Sequence, residues 1–202
     1  MIVDPPSWSA AAHTRNLASA GLRITYRIDV HGAHHVGTAG PLLLVTSCEG
    51  VLASMLLHGT APRPLHVVAN AAMMSSMPGK GRDAAGDIAV AAPTAVEAQQ
   101  RALAALADER AVAVAGSLCP VGYLVAKTDV AVMPVVLLGA DGRVPTDPPR
   151  PRTRVDVYYA PPVRVEVVGD PLRTATRAAV TEQVRQLVSD AEEQARQRAG
   201  RG

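Results

Sequence analysis

The chain has 202 residues, a formal net charge of +2 and a sequence pI near 8.7, a length that predicts one domain able to bury a sizeable core. The charge is too mild to demand a polyanionic partner, and aromatic residues at 2% leave few stacking platforms, so nucleic-acid binding is excluded. The two cysteines, Cys48 and Cys119, do not make a disulfide scaffold and lack metal-ligand spacing. No apolar run reaches the roughly 18 residues needed to span a bilayer, and no signal peptide is expected, which predicts a soluble, cytoplasmic protein.

In chain order, 1–21 reads as an N-terminal helical lead, with Ser7–Ala20 as its short helix. Leu22–Val30 alternates and carries β-branched residues, which predicts a half-exposed strand. The glycines of "GAHHVGTAG" mark a loop, "PLLLVTS" has the continuous apolar character of a strand buried on both faces, and "EGVLASMLLHG" predicts a helix ended by Gly59. Arg63–Asn70 is a second buried strand, "AMMSSMPGKGRDAAG" a helix fragment and loop, and "DIAVAA" a short strand. Thr94 and Glu97 have capping-box spacing and open a helix to about Glu109. "AVAVAGS" predicts a strand, "PVGYLVAKTD" a helix, "VAVMPVVLLGA" a long strand interrupted by Pro134, and "RVDVYYAPPVRVEV" a strand pair or one bent strand. Asp170-Pro171 sets the start of a last helix with a stripe at Val180, Val184, Leu187, Val188 and Ala191, and 196–202 is an Arg-rich tail expected to fray. Alternating strands and helices give a single α/β domain, 1–202, with a mixed, mostly parallel sheet flanked by helices.

In such folds ligands sit at the carboxyl ends of strands. Cys48 stands where a strand turns into a helix, whose unsatisfied N–H groups favour a thiolate, so it is a candidate nucleophile; as a small buried hydrophobe it needs no such role. Glu49 beside it is a candidate base or a dipole complement, and Ser117 a further catalytic candidate. Ser47 and Gly116 offer an anion site on facing turns, and Lys80 and Arg82 a basic rim for an anionic ligand, although Walker spacing is absent. His31, His34 and His35 do not have zinc spacing and read as surface-loop residues; His58 ends a helix and His66 lies within a strand. No metal or cofactor is expected.

The order of these pieces resembles the glycerolipid (lysophosphatidic acid) acyltransferase family from about Leu22 to Val167. "YRIDVHGAHHVGTAGPLLLVTSCEGVLASMLL" is similar to that family's opening block, "GDIAVAA" to its second, "ALADERAVAVAGS" to its helix, strand and Glu-Gly-Thr-Arg block, and "AKTDVAVMPVVLLG" and "RTRVDVYYAPPVRV" to its later strands. The resemblance implies an acyltransferase-like fold, and it implies that the catalytic residues are missing. The family's His-x4-Asp base and orienter read Cys48 and Ala53 here, the second-block Arg reads Ala92, and the Glu-Gly-Thr-Arg block is replaced by Gly116-Ser117-Leu118-Cys119. The expectation is a non-catalytic partner or accessory subunit of a heteromeric biosynthetic enzyme, with a second, catalytic chain as partner. The alternatives are an acyl- or group-transfer enzyme rebuilt around the Cys48 and Gly116-Ser117 turns, holding a small anionic or acyl ligand, and a peripheral lipid-binding module.

Overall fold

The computed structural model describes residues 19–48, 51–70, 88–90, 95–116, 121–142 and 147–200. In chain order these form β1 (Arg27–His31), a 3-10 turn (Ala33–Val36), β2 (Leu42–Thr46), α1 (Val51–Thr60), β3 (His66–Asn70), β4 (Ile88–Val90) and α2 (Ala95–Ala107). They continue with β5 (Ala111–Ala115), α3 (Val121–Thr128), β6 (Val132–Leu138), β7 (Arg154–Tyr159) and α4 (Thr174–Arg198). The strands make one seven-stranded sheet in the order β1-β7-β6-β2-β5-β3-β4. Only β6 and β7 pair antiparallel; every other pairing is parallel, so β1 and β7 run against the remaining five strands.

All five residues of β2 are buried, because both faces of the sheet are covered. The two-residue period of a strand sends Leu42 and Leu44 to one core and Leu43 and Val45 to the other. The first core takes α1, through Leu52, Ala53, Leu56 and Leu57, together with Met133, Val155 and Val157. The second takes α2 through Ala98, Ala102 and Leu106, α3 through Leu124 and Val125, and α4 through Val180, Val184 and Val188. A third, smaller cluster joins Val136 and Tyr158 to Ala195 near the end of α4. Each fully buried Leu or Val contributes about 1.5–3 kcal/mol relative to exposure, so these layers, not local propensity, fix the architecture.

Three expectations need correction. Residues 19–25 are helical and the strand begins only at Arg27, where Leu22–Val30 reads as strand. Leu22 is buried in the core while Ile24 is 85% exposed, and the Tyr26 N–H bonds to the Leu22 carbonyl (2.8 Å); tertiary burial of one leucine outweighs the alternation. The end expected to fray is helical through Arg198: Ala191, Ala195 and Ala199 pack against the β6–β7 face, and Arg196 and Arg198 suit the negative end of the helix dipole. α1 runs one residue past Gly59 to Thr60, whose hydroxyl bonds to the Leu56 carbonyl (2.6 Å).

The segment expected as a strand pair or one bent strand is a single strand, β7, followed by an isolated bridge at Val163. On one side of β6, Val132–Pro134 follow Leu43–Val45 of β2; on the other, Val135–Leu138 pair with β7. Beyond Tyr159 the chain breaks at Pro161-Pro162 and returns at Val163, which exchanges two 2.8 Å hydrogen bonds with Val132. Pro134 accepts from the Ala160 N–H (3.0 Å), so its missing donor falls where the neighbouring strand is itself interrupted. The expected Ser7–Ala20 helix up to residue 18, the 71–87 segment and Thr94 of the capping box lie outside the described residues.

Candidate functional site

The carboxyl ends of β2 and β5 meet where the Gly116 N–H bonds to the Thr46 carbonyl (3.0 Å), with Gly116 at φ 80°, a left-handed conformation that glycine adopts without strain. Past Thr46 the chain leaves the sheet. The buried Thr46 hydroxyl accepts the Cys48 N–H (3.3 Å), an ST-type turn that sets Ser47 outward and Cys48 inward. The Ser47 hydroxyl donates to Glu192 of α4, and Arg196, one turn further on, holds the same carboxylate at 2.9 Å. The last helix thus closes over the strand end.

Two cavities flank Ser47. One, of about 280 Å³, is walled by Val45, Val121, Val184 and Val188, with Thr181, Arg185, Ser47 and Gly116 at its polar margin; Arg185 pairs with Glu182. The other, of about 420 Å³, is bordered by Ser47, Cys48, Gly139, Asp141, Glu192 and Arg196. Cys48 is 9% exposed, and its sulfur lies 3.5 Å from Asp141 Oδ1. Reactive cysteines sit in electropositive surroundings, whereas this thiol faces a carboxylate, and the nearby Arg196 is paired with Glu192. No histidine lines either cavity among the described residues. His58 and His66 are buried elsewhere, in α1 and β3.

His31 corrects a further expectation. It closes β1 instead of lying in a loop, stacks on Tyr158 with ring centroids 4.3 Å apart, and stands 3.7 Å from the fully buried Asp156. Arg154 bridges Asp156 (3.1 Å) and Asp29 (3.0 Å), which gives the β1–β7 pair a charged row on one face. His34 and His35 lie in the 3-10 turn, and the His35 ring meets the Tyr159 carbonyl at 3.0 Å. Burial holds the Tyr159 phenol well above its ordinary range, with a smaller opposing effect from its hydrogen bond to Thr60. Among the described residues no group of three or more His, Cys, Asp or Glu side chains is arranged to hold a metal ion, and no helix is long and apolar enough to cross a membrane.

Of the residues singled out in the sequence, Ser47, Cys48 and Gly116 come together at this strand end, whereas Glu49, Ser117, Lys80 and Arg82 lie outside the described residues. Asp141, Arg185, Glu192 and Arg196 went unnoticed. A signal for two of them exists: Val180, Val184 and Val188 recur every fourth residue, and continuing that count gives Glu192 and Arg196, charges on a stripe that is otherwise apolar.

No family model and no curated protein matches the chain. A solved structure does: the 1-acyl-sn-glycerophosphate (LPA) acyltransferase PlsC from Thermotoga maritima superposes with a TM-score of 0.60 at 18% identity, over 91% of this chain and 79% of that one. The fold is that of an LPA acyltransferase. Within this acyltransferase fold, the opening block singled out in the sequence falls on β1, β2 and α1, and the second block on β4. Cys48 stands at the end of β2. Ala53 lies in the first turn of α1, 1% exposed and packed within the first core.

Proposed function

We propose that this chain is a non-catalytic acyltransferase-fold protein that serves as partner or accessory subunit to a second, catalytic chain of a biosynthetic enzyme. The observation that carries this reading is the turn after β2. Acyl transfer to a hydroxyl needs a base within hydrogen-bond reach of the nucleophile and a group that orients the base. At that turn stands a nearly buried thiol facing Asp141, and in the first turn of α1 is a methyl group sealed in the core. Loss of a base–orienter pair removes orders of magnitude of rate while leaving the scaffold folded. An accessory role is compatible with the closed strand end, where Ser47 and Glu192 join β2 to α4.

Co-expression with its neighbouring genes and purification through a tag on this chain tests the reading. A companion of defined stoichiometry that carries acyl-transfer activity is the expected result. A stable monomer that retains no co-expressed chain, or one that transfers acyl groups alone, overturns it.

A second reading rests on the 280 Å³ apolar cavity beside Ser47 and Gly116, whose valine walls suit an apolar ligand such as an acyl chain. On that reading the chain is a transferase with a rebuilt site. The same purified chain decides between the two, since turnover by the chain alone supports a rebuilt enzyme, and its loss in Cys48→Ala assigns the chemistry to the adjoining cavity that Cys48 borders.

A further inference from the structure

The sheet treats its two edges differently. β4 closes one side with three residues, a short edge strand that gives a neighbouring chain little to pair with. β1 closes the other with five, in unbroken register with β7 from Arg27 to His31, so no bulge turns it away and no proline interrupts it. Four of the five are exposed, Val30 at 39% among them, and only Ile28 packs partly against the first core. The Arg27 N–H bonds to the Thr153 carbonyl (3.1 Å), which fixes the way the backbone faces. Successive peptide groups of a strand point to opposite sides, so Arg27, Asp29 and His31 serve β7. The Tyr26 carbonyl and the N–H and C=O groups of Ile28 and Val30 point to the open side. The side chains of this edge carry an unmet charge. Arg27 lies in register with Arg154, a like-charged neighbour, and Arg154 turns its guanidinium to Asp29 (3.0 Å) and Asp156 (3.1 Å). Arg27 makes no ion pair among the described residues, while Asp29, two residues along the same face, is still half exposed.

We propose that β1 pairs antiparallel with β1 of a second copy of this chain, across a twofold axis at Ile28. Ile28 then exchanges two hydrogen bonds with the partner's Ile28, and each Val30 N–H donates to the partner's Tyr26 carbonyl. The same register sets Arg27 opposite the partner's Asp29, and Asp29 opposite the partner's Arg27. These are non-hydrogen-bonded pairs, in which side chains approach most closely, so each Arg27 gains the acid its own copy withholds. An axis at Asp29 would set that carboxylate against the partner's Asp29, and an axis at Val30 would leave Arg27 opposite the partner's Ala33, with no acid to meet. On the other face Ile28 meets the partner's Ile28, and Val30 meets the partner's Tyr26. Ile28 and Tyr26 both pack on the first core, which therefore runs on from one copy to the next. A patch that is its own complement is what a twofold interface requires. A five-residue pair is small for a permanent interface, so the dimer is weak and depends on concentration. This inference is independent of whether the chain is an accessory subunit, and its test needs this chain alone.

Analytical ultracentrifugation of the full chain over a concentration series tests it, and a monomer–dimer equilibrium is the expected result. Arg27→Asp and Asp29→Arg each turn two attractive pairs into two repulsive ones, and each weakens association roughly thirtyfold. An equimolar mixture of the two variants dimerises again, because every opposed pair regains opposite charges. Val30→Pro removes an open-side N–H without touching the β7 ladder; it abolishes the dimer with a cooperative melting curve, and it decides the matter if a charge variant fails to fold. A chain that is monomeric at every concentration, assembly beyond two copies, a dimer indifferent to these substitutions, or a mixture no better than its components overturns the proposal. A monomer whose Ile28 and Val30 amides exchange slowly only when a co-expressed companion is bound also overturns it, and assigns the edge to that companion.

Discussion

Ala53 shows how far a single position has been absorbed into the core. Leu52, Leu56 and Leu57 lie with it in α1, and all four belong to the first hydrophobic core. A carboxylate placed there is buried among these apolar side chains. Ala53→Asp is therefore expected to destabilise the protein by roughly 3 kcal/mol, the order of cost for a buried unpaired carboxyl, which ionises only at higher pH. Chemical denaturation checks this at neutral pH, and a change below about 1 kcal/mol would mean the position is still built for an acid. Cys48 differs because it retains one polar neighbour, Asp141, supplied from a different strand end. The sequence places Cys48 beside a helix start and so suggests a poised thiol. The neighbour that changes this reading is 93 residues away and leaves no local trace.

Elements were legible in proportion to how much of their environment is local. β2 and β5 announce themselves as apolar runs because both faces are covered, and α3 and α4 carry recognisable helical stripes. The pattern at Leu22–Val30 misleads because one buried leucine, not alternation, decides its conformation, and the tail misleads because its alanines have a sheet face to pack on. Contacts between elements were invisible, and Gly122 is the clearest case. A Cβ on this α3 residue would collide with the Arg177 carbonyl and the Thr181 hydroxyl of α4, so glycine is what lets the two helices cross this closely. Gly122→Ala is expected to cost about 2–3 kcal/mol through overpacking, despite alanine's better helix propensity. Thermal melting should show a drop of roughly 5–10 °C, and a shift under about 2 °C would show that the crossing has slack.

At the scale of the molecule, α4 is the piece that joins everything else. Its first half covers α3 and the second core, and its second half covers the β6–β7 face and latches Ser47 through Glu192. Removing residues from 191 onward uncovers Val136 and Tyr158 and opens the cavity beside Cys48. The expected loss is about 3–5 kcal/mol, read as a fall in melting temperature of roughly 10 °C with increased binding of a hydrophobic dye. Undiminished melting would mean that the latch is ornamental. The pairing of β1 with β7 has a consequence in time rather than in energy. Arg27 lies beside Arg154 and Ile28 beside Val155, so the first described strand waits for its neighbour until more than three quarters of the chain has been synthesised. During translation β2 gains β5 well before β7 is made, whereas β1 has no partner until β7 emerges, and its ladder forms only once a loop of over a hundred residues closes. The opening strand is thus the last into the sheet, and the nascent chain carries that unpaired edge through most of its synthesis.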